Sequence, residues 1–187
     1  LVTIHPSSPP TELLIEDLVV GSGPPVDVGD FLIMDYVGVS YSTGLQFDAS
    51  WDRGSPFPFE LGAGRVIQGW DQGIVGMSVG GRRSLTIPPE LAYGENGSGS
   101  GSIGPNETLV FVVDLIASVP ANLEKPTEEL TSESTTELET NDISEGSGAI
   151  VQPGNVVYIH YVGVSASTGE QFDSSWDRGR SEFIGYI

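Results

Sequence analysis

The first two thirds of the sequence predict an α+β domain in which an antiparallel β-sheet wraps around one short α-helix. Three observations carry this reading. Most apolar runs follow the period of two that sends alternate side chains to opposite faces of a sheet, and one stretch alone follows the three-and-four spacing of a helix face. The strands also follow one another through turns and loops, without the alternating helical crossovers that a parallel sheet requires.

Taken in chain order, residues 13–20 alternate in part, and residues 30–37 form a β-rich run that stops at Gly38. The helix is placed at residues 66–77, where Ile67, Trp70 and Ile74 fall on one face although Gly69 and Gly73 weaken it. Residues 82–87 read as a strand closed by Pro88-Pro89, and residues 108–119 as a long strand with Leu109, Phe111, Val113 and Leu115 on one face.

The chain has 187 residues, enough for one ordinary domain and a part of another. It carries 26 Asp plus Glu against 7 Lys plus Arg, a formal charge of -19. Phosphate backbones and anionic bilayers need Lys and Arg to neutralise them, so neither nucleic acid nor a membrane is expected as a partner. With no cysteine, thiolate metal sites, disulfides and cysteine nucleophiles are excluded; His5 and His160, far apart in the chain, give a metal site or a Ser/His/Asp constellation almost no material. A GxGxxG match at residues 99–104 lies in a Gly/Ser run followed by Pro105 and a strand, which is the wrong context for a nucleotide. Residues 48–59 begin like a calcium loop but place Arg53 and Phe59 where Gly and Glu are needed. A cytoplasmic protein is expected from the acidic surface and the lack of a leader, with export open because the chain begins at Leu1.

Three regions follow from composition and self-comparison: a domain at 12–119, an acidic Ser/Thr/Glu-rich linker at 120–145 expected to be disordered, and a partial second copy at 146–187. Between residues 36–54 and 161–179, at an offset of 125, 16 of 19 positions are identical. The match fails after Gly179, so the second copy is read as truncated, and it is expected to be unfolded or to depend on another chain, with residues 156–164 as an exposed strand.

The motifs Tyr36-Val37-Gly38, Gln46-Phe47-Asp48-Ala49-Ser50, Phe57-Pro58-Phe59-Glu60-Leu61-Gly62, Val66-Ile67-Gln68-Gly69-Trp70, Gly76-Met77-Ser78-Val79-Gly80-Gly81, Ile87-Pro88-Pro89, Ala92-Tyr93-Gly94 and Thr108-Leu109-Val110-Phe111 stand in one order. Together they resemble an FKBP-type peptidyl-prolyl cis-trans isomerase, over residues 12–119, and the second copy resembles the first third of that domain. The resemblance implies an FKBP-like fold and an enzyme that speeds rotation about X-Pro bonds with no cofactor, no metal and no covalent intermediate. Trp70 would be the pocket floor, and Tyr36, Phe57, Val66, Ile67 and Phe111 its walls. The Tyr93 hydroxyl and the Ile67 N–H would donate to substrate carbonyls, Asp48 would lie beside the twisting amide with Phe47 against it and Arg53 holding its carboxylate, and Ile103 would supply an apolar loop contact. The implied partners are proline-containing polypeptides, with macrolide inhibitors as further ligands, and the implied state is a monomer. Asp35 stands where many members have His, while the second copy has His160, and residues 95–102 are expected to form a mobile loop. A non-catalytic module that holds proline segments in the same pocket is the rival reading; a scaffold whose acidic linker recruits a basic partner is a third.

Overall fold

The computed structural model describes residues 8–126, 137–143, 145, 150–154, 156–178 and 183–186. His5 and part of the acidic linker, residues 127–136 and 144, lie outside the described residues. The chain divides into two compact units, Leu1–Leu123 and Glu124–Ile187.

The first unit is an antiparallel sheet built from β1 (Leu14–Val19), β2 (Phe31–Ser40), β3 (Gln46–Ala49), β4 (Phe57–Glu60), β5 (Arg82–Ile87) and β6 (Leu109–Val119), in the order β1-β5-β6-β2-β3. The fourth strand pairs with the N-terminal half of β2, from Phe31↔Glu60 to Met34↔Phe57, and β3 pairs with its C-terminal half. Between β3 and β4 the chain makes a single helical turn, α1 (Ser50–Arg53). The expected helix is present but shorter than its pattern, as α2 (Gln68–Gly73).

Alternation along β6 buries Leu109, Phe111, Val113 and Leu115, each at most 5% exposed, against Leu32, Met34, Leu85, Ile87, Trp70 of α2 and Ile74 just after it. The helix lies close on β5: a Cβ on Gly69 would come within 2.4 Å of Ile87 Cγ2, and one on Gly73 within 2.7 Å of Leu85 Cδ2. Those glycines lower helix propensity, and they are what allows the helix to pack this near the sheet. The buried Arg83 on β5 ties the end of α2 down. Its guanidinium donates to the Gly73 and Val75 carbonyls at 2.8 and 3.2 Å and forms a 2.7 Å ion pair with Asp17 on β1.

In the second unit, expected from its sequence to be unfolded or to depend on another chain, the described residues include four short strands. β7 (Val156–Ile159) pairs with β10 (Phe183–Tyr186), and β8 (Val162–Val164) with β9 (Gln171–Ser174), all antiparallel. The single strand expected at 156–164 is broken at His160 and Tyr161. In the first copy β2 runs unbroken because β6 pairs along its whole length; no such long partner exists among the described residues of the second.

Candidate active site

Tyr36 sits on β2 between the stretch paired with β4 and the stretch paired with β3, so its N–H has no strand partner on that edge. The fully buried Ser50 hydroxyl at the start of α1 fills the gap, accepting the Tyr36 N–H at 3.0 Å and donating to Asp35 Oδ1 at 2.6 Å. A buried N–H left unpaired would cost about 1–3 kcal/mol, so this serine fixes both the turn and the tyrosine.

The opposite side of the site is Trp70, which α2 presents to the sheet at 3% exposure. Three rings stand nearly perpendicular to its indole: Tyr36 at 5.1 Å and 87°, Phe111 at 5.3 Å and 85°, and Phe57 at 6.1 Å and 82°. Edge-to-face pairs of this kind each contribute about 0.5–1.5 kcal/mol beyond the area they bury. Gly38 lets Phe47 approach: a Cβ there would lie 2.7 Å from both Phe47 and Phe111, whose ring centroids are 5.5 Å apart. The product is a box with a flat indole floor and upright aromatic walls, enclosing about 230 Å³.

Its polar side is a three-member cluster. Tyr36 Oη donates to Asp48 Oδ2 at 2.5 Å, Arg53 Nη1 donates to Asp48 Oδ1 at 2.5 Å, and Arg53 Nη2 donates to Tyr36 Oη at 2.7 Å. Burial pushes the Asp48 carboxyl up, but the hydrogen bonds from Tyr36 and Arg53 outweigh it and leave the group below its ordinary range. Burial and the Asp48 carboxylate push the Tyr36 phenol up to about 12. Asp48 is thus an anion and Tyr36 a neutral donor throughout the neutral pH range. Two further donors border the box without a hydrogen bond among the described residues, the Tyr93 hydroxyl and the Ile67 N–H, and the buried Trp70 indole N–H is likewise without a partner among them.

Nine of the eleven site residues read from the sequence therefore line one cavity: Tyr36, Phe47, Asp48, Phe57, Val66, Ile67, Trp70, Tyr93 and Phe111. Arg53 acts through Asp48 and Tyr36. Ile103 is not in the lining; its N–H donates to Ser98 Oγ at 2.9 Å and its carbonyl accepts the Ser98 N–H at 2.9 Å, folding the loop so that the side chain is buried in the core cluster. The loop expected to be mobile is thereby cross-tied, and the Ser98, Ser100 and Ser102 hydroxyls lie within 3.3 Å of one another. Two participants escaped the sequence reading, Ser50 and the cavity-lining Arg65. For Ser50 a signal existed, since Ser175 repeats it in the second copy. Among the described residues no cluster of His, Cys, Asp and Glu could hold a metal ion.

An aromatic box with donors at its border and a carboxylate held ionised has the chemistry of a site that receives an apolar ring of a peptide and orients the polar groups flanking it. A sequence profile of the FKBP-type peptidyl-prolyl cis-trans isomerases matches residues 23–116, half of the chain, and the chain belongs to that family. Over 109 residues it is 58% identical to an FK506-binding protein of Streptomyces anulatus, spanning 58% of this chain and 88% of that one. It is 49% identical over 102 residues to the peptidyl-prolyl cis-trans isomerase FPR2 of Saccharomyces cerevisiae, spanning 54% and 72%. The crystal structure of AtFKBP13 superposes with a TM-score of 0.55 at 42% identity, over 59% of this chain and 95% of that one, and FkpA from Escherichia coli with 0.54 at 40%, over 59% and 50%. The protein is a peptidyl-prolyl cis-trans isomerase with an FKBP-like α+β fold.

Proposed function

We propose that the substrate proline ring enters the box over Trp70, between Tyr36, Phe57 and Phe111, with Val66 and Ile67 closing the side toward α2. The Tyr93 hydroxyl and the Ile67 N–H donate to the carbonyls that flank the ring. Rotation about the prolyl bond faces a barrier of ~18–20 kcal/mol, and in the twisted state amide resonance is lost, so carbonyl and nitrogen become less polar. A water-poor box penalises the polar planar amide more than the twisted one, which is the difference that lowers a barrier. Asp48, fixed by Arg53 and Tyr36, holds one constant negative charge beside the rotating bond, and the Tyr36 hydroxyl, already committed to Asp48, does not compete for the substrate carbonyls. The same box is proposed to take the FK506-type macrolides for which the relatives are named.

The observation that carries this reading is the set of three perpendicular rings on a buried indole, with unspent donors at the border. Cis-to-trans exchange in a short X-Pro peptide, followed by NMR, tests it with the wild type and with Trp70→Leu, Asp48→Ala and Tyr93→Phe. Loss of one substrate hydrogen bond in Tyr93→Phe is expected to lower kcat/KM by about tenfold, and Trp70→Leu and Asp48→Ala should lower it as well. Folded variants as fast as the wild type would overturn these assignments, and peptide binding without any acceleration would favour a holding module.

A further inference from the structure

Of the four arginines in the first unit, three are spent. Arg53 holds Asp48, Arg82 makes a bidentate pair with Asp114 at 2.6 and 2.7 Å, and Arg83 holds Asp17. Arg65 forms no hydrogen bond, ion pair or ring contact among the described residues. Residues 1–120 hold 14 acidic side chains. In so acidic a domain, an exposed guanidinium without a partner in the wall of the prolyl box is what singles this position out.

A second cleft adjoins the box and shares Arg65, Val66, Ile67 and Tyr93 with it, extending along Gln68, Asp71 and Ala92. A peptide whose proline fills the box must continue past its rim, and this cleft is a path bordered by Arg65. The one carboxylate lining it is Asp71, whose two oxygens accept the Gly62 and Gly64 N–H groups at 2.8 and 3.2 Å. Asp71 therefore braces the turn that carries Arg65, while the guanidinium stays available to a ligand. Within the box, Asp48 is compensated by Arg53, so the uncompensated charge in its wall is positive.

We propose that Arg65 is a specificity-determining residue, favouring substrates that carry Asp or Glu directly beside the isomerising proline. The inference rests on the prolyl box as the substrate site. An exposed ion pair contributes about 0.2–1 kcal/mol, which corresponds to a selectivity of roughly 1.4- to fivefold.

The test measures kcat/KM on the full chain for peptides that differ only in Glu, Leu or Lys before proline, and for a matched set that varies the residue after it. In the wild type the Glu peptide of at least one set should exceed its Lys counterpart, and the ratio should shrink as salt is raised from about 0.02 to 0.5 M. Arg65→Gln should cut that ratio by about 1.4- to fivefold, Arg65→Lys should restore part of it, and Arg65→Glu should reverse the preference. Equal ratios in wild type and Arg65→Gln would overturn the inference while leaving the isomerase intact. Failure to accelerate any peptide would sink the placement of the substrate, and this inference with it.

Discussion

Asp48 and Tyr36 hold each other in opposite protonation states, and the pH profile should show it. The Asp48 carboxyl is depressed in the fold, so its contribution to stability is full above the ordinary value of 3.8 and is lost as pH falls through the lower folded value. The Tyr36 phenol is raised, so its contribution is full below 10.0 and is lost as pH rises toward about 12. Activity should accordingly be flat across about pH 5–9, with neither limb set by these groups in between. Tyr36→Phe removes one of the two side-chain donors that offset the burial of Asp48, so the acid limb should move to higher pH; an unmoved limb in a pH–kcat/KM profile would show that Asp48 is not the titrating group. Most of this cluster was legible in the sequence, since Tyr36, Asp48 and Arg53 recur together as Tyr161, Asp173 and Arg178. Arg65 was not, because an exposed arginine in a loop has no periodicity and its distinction is the lack of a partner among the described residues, which only three dimensions show. The inward turn of Ile103 was not legible either: an apolar residue in a Gly/Ser loop reads alike whether it faces a pocket or a core, and the Ser98 bonds that turn it inward leave no spacing pattern.

At the scale of elements, the floor of the box depends on how near α2 lies to β5. Gly69→Ala would raise helix propensity by about 1 kcal/mol in an isolated helix. Here the new methyl would meet the β-branched Ile87 at 2.4 Å, and overpacking costs about 1–3 kcal/mol. The urea midpoint should therefore fall by the equivalent of about 1 kcal/mol. Because the helix must move to make room, kcat/KM should fall as well. A variant with unchanged midpoint and rate would show that Ile87 yields without cost. Ser50→Ala tests the other side of the box: leaving the buried Tyr36 N–H unpaired should cost about 1–3 kcal/mol in chemical denaturation. The long strands and the helix face were readable because 6 to 11 residues sustain a period. The strands β3 and β4, at 4 residues each, are too short to show one, and β4 contains Pro58. Proline is tolerated there because β4 pairs only with β2, leaving its other side as an edge that needs no donor.

Across the whole molecule the repeat is one of geometry as well as of letters. Tyr161 Oη donates to Asp173 Oδ2 at 2.6 Å, Arg178 bonds both, and the Ser175 hydroxyl accepts the Tyr161 N–H at 2.9 Å, each the counterpart of a bond in the first copy. Arg178 lies over the Tyr161 ring at 5.6 Å, as Arg53 does over Tyr36 at 5.4 Å. This cluster forms wherever β2, β3 and the following turn, or their copies, come together, so it is a property of a local hairpin and does not by itself make a site. The box of the first copy needs more than this hairpin, since Trp70, Phe111 and Tyr93 come from later parts of the chain than the cluster. Two matched substitutions separate the cluster from the box. Asp48→Ala and Asp173→Ala remove the same carboxylate from the same pair of partners, so any general effect of net charge is common to both. The first should depress kcat/KM on an X-Pro peptide, whereas the second should leave it at the wild-type value. A fragment ending at Leu123 should match the full chain for the same reason, since every residue of the box lies within the first unit. Equal losses in the two variants would mean that the carboxylate acts through overall charge, and a loss in Asp173→Ala alone would place the catalytic site in the second copy.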